Sequence, residues 1–184
     1  MASNSRLQKD LIMSETEFIE YGKAVSEVRK ECHQFAMLYF HFCKTMVDEF
    51  GLEKAGNLIR KAVFGLSIER TERLRCKAKE LGLDFTPESF QIVSDIPVIG
   101  WVKELGKNHC PYAECWFRYF DQYPWFKALA QLYCNVIDTT NIENFTHTVS
   151  HRLTKSVLEG DGTCERVYFE SENVKKGNYT YGTK

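Results

Sequence analysis

The sequence contains no long apolar run and no basic block. A membrane-spanning helix needs about 18 or more consecutive apolar residues, and no run in the 184 residues approaches that length. Lysine and arginine never occur more than two in a row, and the formal net charge is −1. Neither nucleic acid nor a membrane is therefore an expected partner, because clustered positive charge is what recognises both nucleic acid and an anionic membrane surface.

An export signal and a regular cysteine pattern are also missing. Residues 1–10 are polar and contain no apolar signal-peptide core. The seven cysteines are odd in number and irregularly spaced. We therefore expect reduced thiols in a cytoplasmic protein rather than a disulfide framework.

The composition does provide for a folded core. Hydrophobic residues make up 43% of the chain and aromatic residues 14%, which is typical of a folded globule. A chain of this length is enough for one domain. We expect residues 1–13 to be a flexible lead-in, residues 14–171 to form a single α+β domain, and residues 172–184 to be a polar tail.

Helices are expected in the N-terminal half. Apolar residues recur at three- and four-residue spacing from Phe18 to Met46, which predicts a long helix packed on another helix, with Ser14 as its N-cap and Gly51 as its end. Cys32 and Cys43 on or beside this stripe are expected to be core residues. Further helices are predicted over residues 52–81, with Ala62, Leu66 and Leu81 among the buried positions and Gly65 as a break or bend, and over 86–93.

The C-terminal half changes in pattern. A strand is predicted over residues 98–105, helices over 112–119 and 125–137, and a hairpin with strands at 147–157 and 164–170 and a turn at 159–162. The sum is an α+β fold, in which a helical N-terminal half packs with a small antiparallel sheet.

Two cysteine–carboxylate pairs mark the candidate site. Pro111 suits the first turn of a helix, so Cys110 is the predicted N-cap, where free amides and the helix dipole lower a thiol's pKa. Glu114 follows Cys110 by four residues, and Asp138 follows Cys134 by four, which places Cys134 and Asp138 on one helix face. The alternative is structural: either cysteine can fill the core, and Asp138 can cap a turn.

Further polar residues are candidates for binding a substrate. His147 and His151 fall on one face of the predicted strand at about 13 Å from each other, too far apart to share a metal; either one facing a pocket would carry protons or bind a carboxylate. Asp161 lies between two glycines, where a turn role is the alternative. The full set of candidates is His109, Tyr112, His147, His151, Asp161 and Cys164.

Four short motifs occur in an order found in one known family. From about Glu15 to Phe169 the chain resembles the L-2-amino-thiazoline-4-carboxylic acid hydrolase family, through residues 50–55, 110–114, 132–134 with Asp138, and 160–164. The last third is also similar to vinyl-reductase-like ligand-binding domains, which resemble the small subunits of the TRAPP trafficking complex. Those domains pack helices on a small antiparallel sheet around a small-molecule pocket.

The resemblance implies hydrolytic opening of a cyclic amidine, whose ring carbon is bonded to two nitrogens and a sulfur. A carboxylate pairs with a planar amidinium through two hydrogen bonds, so Asp138 or Glu114 is expected to bind the substrate. Ring opening needs a nucleophile and a proton for the departing nitrogen. Cys110 or Cys134 would attack, with the other carboxylate or His151 transferring protons. Water activated by the carboxylates is the alternative nucleophile.

No cofactor is expected, and a small-molecule substrate is the expected partner; the sequence is also compatible with a homodimer. Some vinyl-reductase-like domains bind zinc near the closing hairpin, but residues 152–158 contain no cysteine here. Zinc on Cys110, Cys134 and Cys164 is the remaining alternative. Two other functions compete with hydrolysis: a non-catalytic small-molecule-binding module, and a protein–protein adaptor that uses the first helix.

Overall fold

The computed structural model describes residues 19–101 and 109–178. Helices dominate, with one two-stranded antiparallel sheet in the described ranges, so the predicted α+β class is confirmed. No helix in these ranges is long and apolar enough to cross a membrane. The elements are α1 (Tyr21–Phe50), α2 (Leu52–Glu80), α3 (Pro87–Val93), α4 (Pro111–Phe120), α5 (Phe126–Thr146), β1 (Val149–Lys155), β2 (Glu165–Glu170) and α6 (Glu172–Lys175).

Helix α1 begins later than the sequence predicts. Residues 19 and 20 are not helical, and the carboxylate of Glu20 caps α1 by accepting two backbone N–H hydrogen bonds at 3.0 and 3.1 Å. The predicted cap at Ser14 lies outside the described residues. Gly51 ends α1 as predicted, with φ at +76°. Glycine adopts that conformation without a steric penalty, so α2 can start at the next residue.

The buried stripe on α1 follows the prediction in part. Val25, Cys32 and Cys43 are buried as expected, but Phe42 is 63% exposed. The buried side instead includes Arg29, a polar residue within an apolar pattern. The spacing of apolar residues does not predict that Arg29 is buried, because its burial depends on a partner elsewhere in the chain.

Helix α2 runs through Gly65 without a break, so the predicted interruption is wrong. Ala62, Leu66 and Leu81, expected on its buried side, are exposed. The buried side contains polar residues that hydrogen-bond to α5: Ser67 donates to the Asn141 side-chain oxygen at 2.6 Å. These hydrogen bonds between distant residues form only in the folded protein, so the spacing of apolar residues does not predict which face of α2 is buried.

An aromatic core ties α1, α4 and α5 together. Trp116 is fully buried, and its ring centroid lies 5.5 Å from that of Tyr39 and 5.8 Å from that of Tyr133. Its indole N–H donates to the Ala36 carbonyl at 2.9 Å, and the Tyr39 hydroxyl donates to the Leu129 carbonyl at 2.8 Å. Because the indole N–H and the hydroxyl both have hydrogen-bond partners, these aromatic side chains can be buried beside the thiols without an unpaired polar group.

The predicted strand over residues 98–105 is not found where the structure describes it. Val98–Trp101 form a 3-10 turn, and residues 102–108 lie outside the described ranges. The turn packs on α1 through Gly100, whose carbonyl accepts a hydrogen bond from Arg29 at 2.6 Å. A Cβ at Gly100 would lie 2.7 Å from the Val28 Cγ1 atom, so only glycine allows this approach.

Helix α5 is longer than predicted. It continues past residue 137 through Asp138, Thr139, Thr140 and Asn141, which suggest a loop by their sequence. Neighbouring elements bind three of these side chains: Arg166 pairs with Asp138, the Thr139 hydroxyl lies 3.3 Å from the His151 Nδ1 atom, and Ser67 donates to Asn141. The buried Thr140 hydroxyl has no hydrogen-bond partner among the described residues. His147 caps the end of α5 in the left-handed conformation, at φ 60°.

The hairpin packs one side against α5. His151 pairs with Tyr168 and Leu153 with Arg166, so these four side chains share a face. A 3-10 turn at Val157–Glu159 precedes the loop to β2. Beyond the hairpin, the first residues of the predicted polar tail form α6, whose Val174 is buried.

Candidate functional site

Cys110 caps α4 as predicted, but its thiol is not activated. The half-buried side chain is the N-cap residue ahead of Pro111. Burial raises the pKa of the Cys110 thiol, and hydrogen bonds from the amides of Ala113 and Tyr112 offset only part of this effect. The predicted lowering of its pKa is therefore wrong, since loss of water outweighs the helix terminus.

Three thiols, those of Cys110, Cys134 and Cys164, lie within electrostatic reach of one another, and Cys110 also acts on the Cys32 thiol. Burial raises the pKa of Cys134 most strongly, and the nearby Asp138, Cys110 and Cys164 raise it further. Burial, with a smaller effect of Cys110, raises the pKa of Cys32 to about 11. All seven cysteines are free thiols, so the members of this cluster whose pKa is raised are protonated at neutral pH.

The thiol cluster does not form a metal site in the structure. Among residues 19–101 and 109–178, no three His, Cys, Asp or Glu side chains are arranged to hold a metal ion. Cys164 accepts a hydrogen bond from the Val157 amide at 3.5 Å instead. The zinc alternative on Cys110, Cys134 and Cys164 therefore has no supporting geometry.

Glu114 is part of a structural ion pair rather than a free catalytic group. Its carboxylate pairs with the buried Arg29 guanidinium, which also donates to the Gly100 carbonyl. His33 Nε2 lies 4.0 Å from the other carboxylate oxygen. Glu114 thereby links α4 to α1, and the prediction that it binds substrate is not supported by this geometry.

Asp138 lies one turn after Cys134, as predicted, and forms an ion pair that the sequence does not reveal. The Arg166 Nε atom donates to its carboxylate at 3.0 Å, and the Arg166 Nη2 atom donates to the same oxygen. This pair connects α5 to β2 at a partly exposed position. The alternative of a turn cap is wrong, because Asp138 is inside α5.

A pocket of about 270 Å³ lies between α5 and β1. It is lined on the helix side by Cys134, Asn135 and Thr139, and on the strand side by Ser150, His151 and Arg152. Leu153 and Phe169 complete its apolar wall. Both Cys134 and His151 belong to the predicted site, so the structure brings a thiol and an imidazole to one cavity.

His151 is the polar residue in this pocket with an unsatisfied nitrogen. It is 6% exposed, its Nδ1 lies 3.3 Å from the Thr139 hydroxyl, and its ring stacks on Tyr168 at 5.9 Å. The buried Nε2 atom has no hydrogen-bond partner. An unsatisfied buried polar group costs about 1–3 kcal/mol. A hydrogen bond to this nitrogen would remove that cost.

The charge state of His151 suits a base. Burial lowers its pKa, and although Asp138 and Glu143 act in the opposite direction, they do not overcome burial. Arg166 contributes further lowering. A histidine whose pKa is below its usual value is neutral at pH 7 and can accept a proton.

Two groups behind the pocket were missed by sequence reasoning. Glu143 is fully buried on α5, and Ser150 donates to its Oε1 atom at 2.6 Å, which fixes the start of β1 against the helix. No sequence signal identified Glu143, because α5 was expected to end before it. The sequence did contain a signal for Arg166: on the predicted second strand it lies two residues before Tyr168 and therefore on the same face.

The other predicted residues fall in different places. Tyr112 packs on Phe35 at 5.3 Å beside the thiols, and burial raises its pKa. His109 makes no hydrogen bond or ion pair within the described part of the chain. His147 is exposed and outside the strand, so it shares no face with His151. Asp161 accepts a hydrogen bond from the Ser156 amide at 2.7 Å, which gives it the turn role.

The pocket is lined by a neutral histidine, a protonated cysteine, residues with hydroxyl groups and an arginine. Such a set can hold a small polar ligand and deprotonate a water molecule beside it. Comparison of the chain with models of known protein families, with curated proteins and with solved structures gave no match. Interpretation of the site therefore rests on its own residues.

Proposed function

We propose that the protein is a hydrolase that opens a carbon–nitrogen bond in a small heterocycle of the 2-amino-thiazoline-4-carboxylate type. The observation that carries the proposal is that His151, whose buried Nε2 atom has no hydrogen-bond partner, lines one pocket together with Cys134. A neutral imidazole in such a position is suited to general-base catalysis. The sequence resemblance described above supports the choice of a cyclic amidine.

In the proposed reaction, His151 removes a proton from a water molecule as the water oxygen attacks the ring carbon. That carbon is bonded to two nitrogens and one sulfur. The bond from the carbon to the ring nitrogen then breaks as the new hydroxyl gives up its proton and becomes the carbonyl. The departing nitrogen takes up both protons, the one held by His151 and the one from the hydroxyl, and leaves as an amine. The net change is the addition of one water, and the product is an S-carbamoyl thiol with a free amine.

Covalent attack by Cys134 is the alternative route within the same proposal. Its thiol lines the pocket, but burial and the Asp138 carboxylate both raise its pKa. A protonated thiol is a poor nucleophile, so this route requires His151 to deprotonate Cys134 first. We favour water as the nucleophile, with Cys134 shaping the pocket.

The Asp138–Arg166 pair supports the base electrostatically. Arg166 lowers the pKa of His151 while Asp138 raises it, so the paired charges act on the imidazole in opposite directions. Asp138→Asn would leave Arg166 unpaired, and the pKa of His151 would fall further. A weaker base should then make turnover slower, without loss of substrate binding.

The test is incubation of the purified protein with L-2-amino-thiazoline-4-carboxylate, with mass spectrometry for the product containing one added water. The wild type should turn over, and His151→Gln should lose about 10²–10⁴-fold in kcat, the usual contribution of a general base. His147→Asn is the matched control, because His147 is exposed outside the pocket and asparagine tolerates its left-handed backbone.

The same assay separates the two nucleophiles. Cys134→Ser should retain most of the turnover if water attacks directly, and should abolish it if the thiol does. Equal loss in His151→Gln and His147→Asn, or full activity in His151→Gln, would refute the role of His151.

A non-catalytic binding module is the second candidate function. It is favoured by the raised pKa of Cys110 and Cys134, because protonated buried thiols suit a ligand cavity better than a nucleophilic site. Saturable binding of the heterocycle without any turnover, at several pH values, would support this reading over hydrolysis.

A further inference from the structure

The His151 ring is contacted by one side chain on its face and by another at its edge. Its face stacks on the ring of Tyr168, the residue opposite it on β2, with the ring centroids 5.9 Å apart and the planes at 28°. At its edge, the Thr139 hydroxyl on α5 lies 3.3 Å from the Nδ1 atom. His151 and Thr139 are both buried, and both line the pocket between α5 and β1.

The Thr139 hydroxyl is turned away from its own helix. Thr71 in α2 and Thr146 in α5 each donate to the carbonyl four residues earlier, at 2.7 and 2.9 Å. A helical threonine can satisfy its hydroxyl in this way without any other element. Within residues 19–101 and 109–178, the hydrogen-bond partner of the Thr139 hydroxyl is instead the Nδ1 atom of His151. A contact with the hairpin thus replaces the contact within the helix.

This hydrogen bond decides which ring nitrogen carries the proton of the neutral imidazole. With the proton on Nδ1, the N–H donates to the Thr139 oxygen. With the proton on Nε2, a buried N–H would have no acceptor among the described residues. A buried N–H without an acceptor is rarer in proteins than a buried acceptor without a donor. The Thr139 oxygen is then the acceptor, and its own proton can rotate toward the pocket that Thr139 lines.

We propose that Thr139 is a positioning residue that holds the proton of neutral His151 on Nδ1, so that Nε2 is the nitrogen that accepts a proton. This inference rests on the proposed function for the reaction in which that proton is taken up. When Nε2 takes a proton from water, the ring becomes cationic, and its Nδ1–H bond to Thr139 becomes charge-assisted and stronger. Thr139 therefore stabilises the charged ring more than the neutral ring, which is the condition for an effect on kcat.

The test reads the tautomer directly and needs no substrate. Nitrogen NMR of protein with isotope-labelled histidine distinguishes a protonated from an unprotonated ring nitrogen, and the His151 signals are those that His151→Gln lacks. Thr139→Val removes the hydroxyl but keeps the branched shape of the side chain, and Thr139→Ser keeps the hydroxyl. Thr140→Val is the matched control, because Thr140 is the next residue of α5, is fully buried, and has no hydrogen-bond partner for its hydroxyl in the described ranges.

The wild type, Thr139→Ser and Thr140→Val should carry the proton on Nδ1, and Thr139→Val should shift it toward Nε2. With L-2-amino-thiazoline-4-carboxylate as substrate, Thr139→Val should lose about 3- to 10-fold in kcat with little change in KM, the effect of one hydrogen bond, while Thr140→Val keeps the wild-type rate.

A proton on Nε2 in the wild type would overturn the proposal. The same tautomer in Thr139→Val as in Thr140→Val, or equal kcat for these two variants of an active enzyme, would overturn it as well. The expected tautomers in a wild type that does not turn over the heterocycle would leave Thr139 assigned to His151 and refute the hydrolase.

Discussion

Removing the Arg29 side chain is expected to destabilise the protein strongly. Arg29 is buried in α1, pairs with the Glu114 carboxylate on α4 and donates to the Gly100 carbonyl at 2.6 Å. Arg29→Leu keeps an apolar stem of similar length but leaves the carboxylate without its cation. It also removes the side-chain donor to a buried carbonyl.

The size of the effect follows from these contacts. Breaking a buried ion pair by removing one partner costs about 3–5 kcal/mol. Because the Glu114 side chain is 27% exposed, water can partly solvate its abandoned charge, which favours the lower end. We expect Arg29→Leu to lower the free energy of unfolding by about 3 kcal/mol, which corresponds to a Tm about 6–12 °C lower for a chain of this size.

The double variant provides the control. Arg29→Leu/Glu114→Leu replaces both charges by apolar groups and should be less destabilised than the sum of the single variants, by about 1–3 kcal/mol. Urea unfolding monitored by circular dichroism measures all four proteins of the cycle. Strict additivity, or an Arg29→Leu variant within about 0.5 kcal/mol of wild type, a typical surface effect, would show that the pair does not hold α4 on α1. The Glu114→Gln variant should catalyse the proposed hydrolysis at the wild-type rate, because Glu114 does not line the pocket between α5 and β1.

Two further predictions concern stability. Gly100→Ala should lower the free energy of unfolding by about 1–3 kcal/mol, because the new Cβ would lie 2.7 Å from a Val28 side-chain atom. Gly65→Ala should instead stabilise α2 by about 0.5–1 kcal/mol, because the new Cβ would have no atom within 4 Å. Thermal unfolding of the two variants and the wild type measures both effects. Burial lowers the pKa of His151, so below about pH 6.5 the unfolded chain takes up a proton that the folded chain does not. The free energy of unfolding should therefore fall as the pH drops through this range, and less steeply in His151→Gln; an equal slope in urea titrations of both proteins would contradict the buried, neutral histidine.

Local signals predicted the elements whose ends are fixed by local chemistry. The Thr86-Pro87 start of α3 is found as expected, because the Thr86 hydroxyl accepts from the Ser89 amide at 3.2 Å within the same turn. Gly51 ends α1 for an equally local reason, its positive φ. Such features depend on residues close together in sequence, which is what pattern analysis can evaluate.

Long-range partners account for what the sequence could not predict. Asn141 belongs to a loop-forming string, yet it is helical because Ser67, 74 residues earlier, donates to it. Asp138 and Glu114 were identified as candidate site carboxylates, but their arginine partners lie 28 and 85 residues away in the chain. Cys110 was placed at the correct helix terminus, while its pKa is set by burial, which spacing does not report.

Within residues 19–101 and 109–178, β2 pairs with β1 along one edge only, and its other edge has a consequence for aggregation. Along β2, Val167, Tyr168 and Phe169 are all exposed, a composition that favours pairing with a strand from another molecule. Glu165 and Glu170 stand at the two ends of this strand. If two copies paired β2 edge to edge in antiparallel register, each Glu165 would face a Glu170, and like charges directly opposite are unfavourable. Lys155 and Lys175 pair with Glu165 and Glu170 at 3.2 and 2.8 Å and compensate part of this repulsion within each copy. The remaining repulsion opposes the pairing of two β2 strands, and it weakens in acid or at high salt.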